Sequence, residues 1–197
     1  MEIEAVKKEY KFKRGNLMLL PYVPGIGALD EQTLIDLYNR LKSEGLWDIV
    51  FHEDAGVSLL KFMSFFSDGK SLLQVLALVD GDRIVDIVGM SWLADITNCG
   101  GILTRGVGSF MFFKDYQKPS YSDQFADMIL EYWFEQLGMD VVLGVTPEPN
   151  RAALFYIKRT GFKEVGRLPK YTTYAGEVVT GVLTSMTKEE YRQLAGG

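Results

Sequence analysis

Few residues in this chain have side chains that could do chemistry on their own. Cys99 is the only cysteine and His52 the only histidine. An intrachain disulfide, a thiolate metal cluster and a His-based zinc site are therefore excluded, and no metal is expected. A serine triad would have to use His52. What remains are hydroxyls, amides and carboxylates whose worth depends on where they are placed. In the stretch Asn150-Arg-Ala-Ala-Leu-Phe-Tyr-Ile-Lys-Arg-Thr-Gly-Phe162, Asn150 can cap a short helix and Gly161 can stop it in a left-handed conformation. Phe162 then enters the core as a strand begins. Inside that helix lies Tyr156, a phenol with an ordinary pKa near ~10 that can act as an acid only where it points at the atom needing a proton. Upstream, Tyr116-Gln-Lys-Pro-Ser-Tyr-Ser122 reads as an N-capped helix start with a proline turn. His52, Glu53, Asp95 and Glu148 are candidate bases only by proximity along the chain, and none is nominated.

The elements that must position these groups follow from hydrophobic period and turn chemistry. Leu17 to Leu20 is a short apolar run ended by Pro21, which predicts an edge strand. Asp30 caps a helix carrying Leu34, Leu37, Tyr38 and Leu41 on one face, ended by Gly45, and a second helix runs from about Val57 to Phe66. Leu72 to Val79 and Ile84 to Leu93 flank Asp80-Gly81-Asp82 and predict a hairpin. Ile102 to Phe113 is a third meander strand that carries no carboxylate. Its Gly106 and Gly108 mark a bulge or a close approach of another group. Ser122 to Leu137 is an amphipathic helix with Phe125, Met128, Ile129, Tyr132 and Trp133 on one side. Asp140 to Val145 is a strand, Ala152 to Thr160 a helix, and Phe162 to Leu168 and Val178 to Met186 are strands. Tyr171 and Tyr174 fall in the loop between those two, and a capped helix from Thr187 to Leu194 closes the chain. The expected class is α/β (α+β): a mixed, mostly antiparallel sheet with helices on both faces.

The 197 residues are 47% hydrophobic with a net charge of −5, which suits one folded domain spanning the chain, ordered from near Met18 to near Leu194. The acidic balance argues against nucleic acid, since the one basic run, Lys7 to Arg14, is set among Glu2, Glu4 and Glu9. The longest apolar run, Leu72 to Val79, is too short to span a bilayer, and Met1 to Gly15 lacks a signal-peptide core. The reading is a cytoplasmic protein without a membrane partner.

The element order and the Asn150–Phe162 segment resemble the GNAT superfamily of acyl-CoA-dependent N-acetyltransferases, with Asn150, Ala153, Gly161 and Phe162 at matching relative positions. The resemblance is clearest from Leu72 to Leu194. It implies acetyl-CoA as the acyl donor and an amine as the acceptor. The family's pyrophosphate signature is Gln or Arg, two residues, Gly, one residue, Gly or Ala. Here that signature falls on Tyr116 to Ser122, where Gln117 matches and Ser120 and Ser122 replace the small residues. The resemblance implies that Phe112, Phe113 and Lys114 hold the pantetheine, that Gln117, Lys118, Ser120, Tyr121 and Ser122 hold the pyrophosphate, and that Asn150 lies near the thioester. The family's general-acid tyrosine would fall at Ile157. Tyr156 is one residue early, a rotation of roughly 100° on a helix, unless a π-type widening after Asn150 re-aims it.

Three readings stay open. The first is an N-acetyltransferase acting by direct attack, with Tyr156 as acid. The second is a GNAT-like scaffold kept for binding or assembly, a description that phage-encoded and other divergent members fit. The third is an acyl-CoA sensor. The Tyr171–Tyr174 loop is where this family builds an acceptor pocket or a dimer contact, so a homodimer is also open.

Overall fold

The computed structural model describes residues 12–25, 29–51, 58–67, 71–81 and 83–196. Within them eight strands form one sheet: β1 (Phe12–Arg14), β2 (Leu17–Pro21), β3 (Leu72–Asp80), β4 (Arg83–Cys99), β5 (Leu103–Phe112), β6 (Val141–Pro147), β7 (Lys163–Tyr174) and β8 (Glu177–Thr187). Their spatial order is β1-β2-β3-β4-β5-β6-β8-β7. Only β5 and β6 run parallel; every other neighbouring pair is antiparallel. The mixed α/β class read from the sequence is the one observed.

Helices α1 (Glu31–Ser43), α2 (Trp47–Val50) and α3 (Leu59–Ser67) cover one face. Asp30 caps α1 by accepting from the Thr33 amide, while the Thr33 hydroxyl accepts from the Asp30 amide in return. Leu34, Leu37 and Leu41 point to the sheet and pack with Phe62, Phe66, Val75, Met90, Trp92, Met111 and Phe113. The opposite face is covered by α4 (Pro119–Glu131), α5 (Arg151–Arg159) and α6 (Lys188–Ala195). Its core joins Leu19, Leu76 and Val88 to Phe125, Ile129, Trp133, Ile157 and Phe162.

The glycines of β5 serve close approach. A Cβ on Gly108 would lie 2.8 Å from the Trp133 ring and from Val142, and one on Gly106 would lie 3.1 Å from Met139. The Trp133 indole rests on the strand there and donates to the buried Gln74 amide oxygen at 3.1 Å, which also accepts from Ser91. The polar groups of Gln74, Ser91 and Trp133 thereby satisfy one another where they are buried.

Several expectations are corrected. Leu17–Pro21 is not an edge strand, because the short β1 pairs along its outer side, and Pro21 sits at its last position where no further ladder bond is needed. Tyr171 and Tyr174 lie in β7 rather than in a loop, which is only Ala175-Gly176. The strand passes them through an irregularity between Leu168 and Thr172 where Lys170 takes φ 54°. The fourth helix begins at Pro119, so Ser120 and Ser122 are helical residues. Lys118 is its N-cap and makes no side-chain cap bond. A π-helical widening is present, but at Tyr132–Gln136 beyond α4; α5 is α-helical throughout. Val57 and Asp82, which the sequence placed in the second helix and the hairpin turn, lie outside the described residues.

Candidate functional site

Strands β5 and β6 pair at three positions only: Arg105 with Val141, Gly106 with Val142 and Val107 with Leu143. Beyond these, Gly108 to Phe112 and Gly144 to Pro147 run on without pairing to each other. Parallel neighbours that part in this way leave main-chain donors and acceptors facing an opening, and such groups need partners. The helices that follow the two strands, α4 and α5, lie over the same face, so their N-terminal halves flank that opening.

The loop leading to α4 is fixed from the other side of the sheet. The Lys114 amide donates to the Glu44 carboxylate at 2.7 Å, and Arg40 bridges Glu44 and Asp86 at 2.7 and 2.9 Å. Arg40 also stacks over the Phe113 ring at 4.0 Å. The Tyr116 phenol donates to Asp86 at 2.6 Å. That bond, then burial, pushes the phenol up to about 12. Burial pushes the Asp86 carboxyl up, but the Tyr116 phenol, the Ile87 amide and Arg40 outweigh it and hold the group below its ordinary value. Sequence reasoning missed this network. A signal existed only in part, since Arg40 and Glu44 stand four apart on α1, but nothing local tied them to Asp86 or Tyr116.

Each residue expected at the site can now be placed. Phe112 faces Phe125 and Tyr156, and its carbonyl accepts from the Gln117 side chain at 3.1 Å. Phe113 is fully buried on the α1 face, and its amide donates to Val88. Lys114, Gln117, Lys118 and Ser120 are exposed, and Tyr121 packs edge-on against Tyr116. In the turn, the amides of Lys118, Tyr121 and Ser122 already donate to backbone carbonyls and Pro119 has none. The Ser120 amide is therefore the one left for an incoming anion. Ser122 is buried. Asn150 caps α5 by accepting from the Ala153 amide at 3.2 Å.

Tyr156 reaches from α5 to β5 and α4. Its ring sits edge-on to Phe110 and Phe112 at centroid distances of 5.4 and 5.8 Å, and its phenol donates to the Ser122 carbonyl at 2.5 Å. Burial pushes this phenol well above its ordinary range. Ile157, one residue on, is buried in the core. Of the candidate bases, Asp95 is exposed in the irregular part of β4 and Glu148 is paired to Arg167 at 2.5 Å. His52 and Glu53 lie outside the described residues. The groups lining the opening are thus hydroxyl, aromatic and main-chain: they can hold an extended amide-bearing chain and a small anion. Among the described residues no group of His, Cys, Asp and Glu could hold a metal ion, and no helix is long and apolar enough to cross a membrane.

No protein-family model matches the chain. Solved structures do match. A spermidine N-acetyltransferase from Vibrio cholerae in complex with CoA and spermine superposes with TM-score 0.71 at 16% identity, covering 89% of this chain and 98% of that one. RimJ from Mycobacterium smegmatis in complex with CoA-disulfide gives 0.70 at 15% identity, covering 91% and 89%. The Vibrio cholerae spermidine/spermine N-acetyltransferase SpeG in complex with manganese ions gives 0.67 at 14%, covering 91% and 97%. At these identities the likeness is one of architecture, a mixed and mostly antiparallel sheet with helices on its faces. The chain has the GNAT acetyltransferase fold.

Proposed function

We propose that the protein binds acyl-CoA in the opening between β5 and β6 and transfers the acyl group to an amine. The observation that carries this reading is the parting of the two parallel strands after Val107 and Leu143. A pantetheine arm carries two amides and can pair with the exposed strand edges as an extra half-strand. The pyrophosphate would lie at the start of α4, against the Ser120 amide and near exposed Lys118 and Gln117, where the positive end of a 13-residue helix favours an anion. The amine nitrogen attacks the thioester carbonyl, its C–O π electrons move to oxygen, and a main-chain N–H of the strand edge stabilises the oxyanion. Collapse breaks the C–S bond, and the proton lost by nitrogen ends on the thiolate. The acceptor class follows the fold's neighbours, one solved with spermine, only as an analogy.

The test is a calorimetric titration of the full chain with acetyl-CoA, followed by an assay for free thiol in the presence of amines. Ser120→Asp should weaken acetyl-CoA binding by roughly tenfold, because it sets a negative charge against the phosphates at short range. Unchanged affinity in that variant would move the pyrophosphate elsewhere. A second reading, a scaffold without turnover, is favoured by the spent amides of the Lys118–Ser122 turn and its Pro119. No binding heat with acetyl-CoA would decide for it.

A further inference from the structure

The opening is bridged as well as bordered. Phe110 and Phe112 belong to the part of β5 that has left β6, and Ser122 belongs to the first turn of α4. Tyr156, carried on α5, touches all three: edge-on to both rings and hydrogen-bonded to the Ser122 carbonyl. One residue thus ties together the three elements that an extended ligand would have to pass between. A neighbouring pair reinforces the seam. Arg159, one turn further along α5, pairs with Asp123 of α4, and its guanidinium lies 5.4 Å from the Tyr156 ring centre. Ile157, the side chain one position on, is buried in the apolar core shared with Phe125 and Ile129 and carries no polar group that could replace the bond to Ser122.

We infer that Tyr156 is a latch across the acyl-CoA opening, and that a bound cofactor displaces its phenol from the Ser122 carbonyl. The inference rests on the acyl-CoA reading and adds a property of that site: the affinity for the cofactor is set by how readily the α4–α5 seam opens. A closed seam lowers apparent affinity by the fraction of molecules that are open at any moment. The bond involved is a single neutral hydrogen bond plus ring packing, so the open fraction is small but not negligible. In the closed state the phenolic proton is committed to a main-chain carbonyl and buried, so Tyr156 acts here by position and not as an acid.

The two roles, latch and general acid, predict different results when the phenol oxygen alone is removed: a latch changes cofactor affinity, whereas a general acid changes turnover and leaves affinity as it was. Tyr156→Phe keeps the ring against Phe110 and Phe112 and deletes the bond to Ser122. Titrated with coenzyme A by calorimetry, this variant should bind roughly fivefold more tightly than the wild type, the equivalent of one net hydrogen bond. Tyr156→Ala, with its fold checked by circular dichroism, should bind more tightly still. If the wild type binds coenzyme A and Tyr156→Phe binds it equally or less well, the latch is overturned while the acyl-CoA reading stands. If neither the wild type nor either variant binds, both fall, because opening the seam then exposes no site.

Discussion

The two faces of the sheet are built differently, and the difference separates what must stay rigid from what can move. On the α1–α3 face the helices meet the sheet through aromatic packing: Tyr38, Trp47, Phe51, Phe62, Phe66 and Trp92 form a connected cluster with ring centroids between 4.7 and 6.3 Å apart. Such contacts are individually weak and collectively large, and no single one opens alone. On the α4–α6 face Trp133 and Phe125 supply similar packing. The seam between α4 and α5, however, adds to the buried Ile157 a few directional bonds from Tyr156 and Arg159. Directional bonds can be exchanged for those of a ligand, whereas packed rings have no substitute. The rigid face also reaches across, through Glu44, Arg40 and Asp86, to hold the loop that starts α4.

The comparison breaks most readily at the two large core residues. Trp133→Ala and Phe62→Ala should each cost about 3–5 kcal/mol in chemical denaturation. They should part company in ligand binding. Trp133→Ala unseats α4 from Gly108 and Gln74 and should weaken coenzyme A binding in the remaining folded protein. Phe62→Ala, which only hollows the α1–α3 cluster, should not. Equal effects on binding would mean that the two faces are not mechanically distinct.

A smaller effect is expected at the network joining the faces. Asp86→Asn should destabilise by about 1 kcal/mol, after discounting for a carboxylate that is partly open to solvent. The sign with pH follows from the depressed carboxyl. The wild type's margin over the variant is full above the unfolded-chain value near ~4 and is lost as pH falls through the lower folded value. A margin that grows on acidification would contradict the network. Least of all should follow from the cluster of Glu164 with Lys158 and Arg167 at the outer edge. Its two cations draw the Glu164 carboxyl down to about 2, yet the group is open to water. Glu164→Gln should shift Tm by less than about 2 °C at physiological salt.

Much of the fold was legible because it rests on local rules. Asp30 and Thr187 cap helices where the sequence placed them, and each closes a reciprocal capping box. Gly161 ends α5 at φ 98° and Asn150 begins it. The glycines of β5 signalled a close approach, and Trp133 is what approaches. Other features were illegible for physical reasons. The strand β1 is three residues long and exists by pairing with β2. The π-turn at Tyr132–Gln136 lies beneath a hydrophobic pattern that a regular helix would also show. Tyr171 and Tyr174 read as loop residues because Pro169 and Lys170 interrupt the strand pattern, which the sheet absorbs as an irregularity.

By itself the sequence determined the order and type of most of the longer elements and the caps at Asp30, Asn150, Gly161 and Thr187, since these follow from neighbours along the chain. Only the tertiary structure decided where Tyr156 points. A residue's direction around a helix is known from spacing relative to its own neighbours, but what it meets depends on how α5 is set against α4 and β5. That setting, fixed by Ile157 and Phe162 in the core and by Trp133 on Gly108, turns the phenol toward Ser122. Likewise, Arg40, Glu44, Asp86 and Tyr116 are spread over 77 positions of sequence and meet only because antiparallel strands and a returning helix bring them to one end of the sheet.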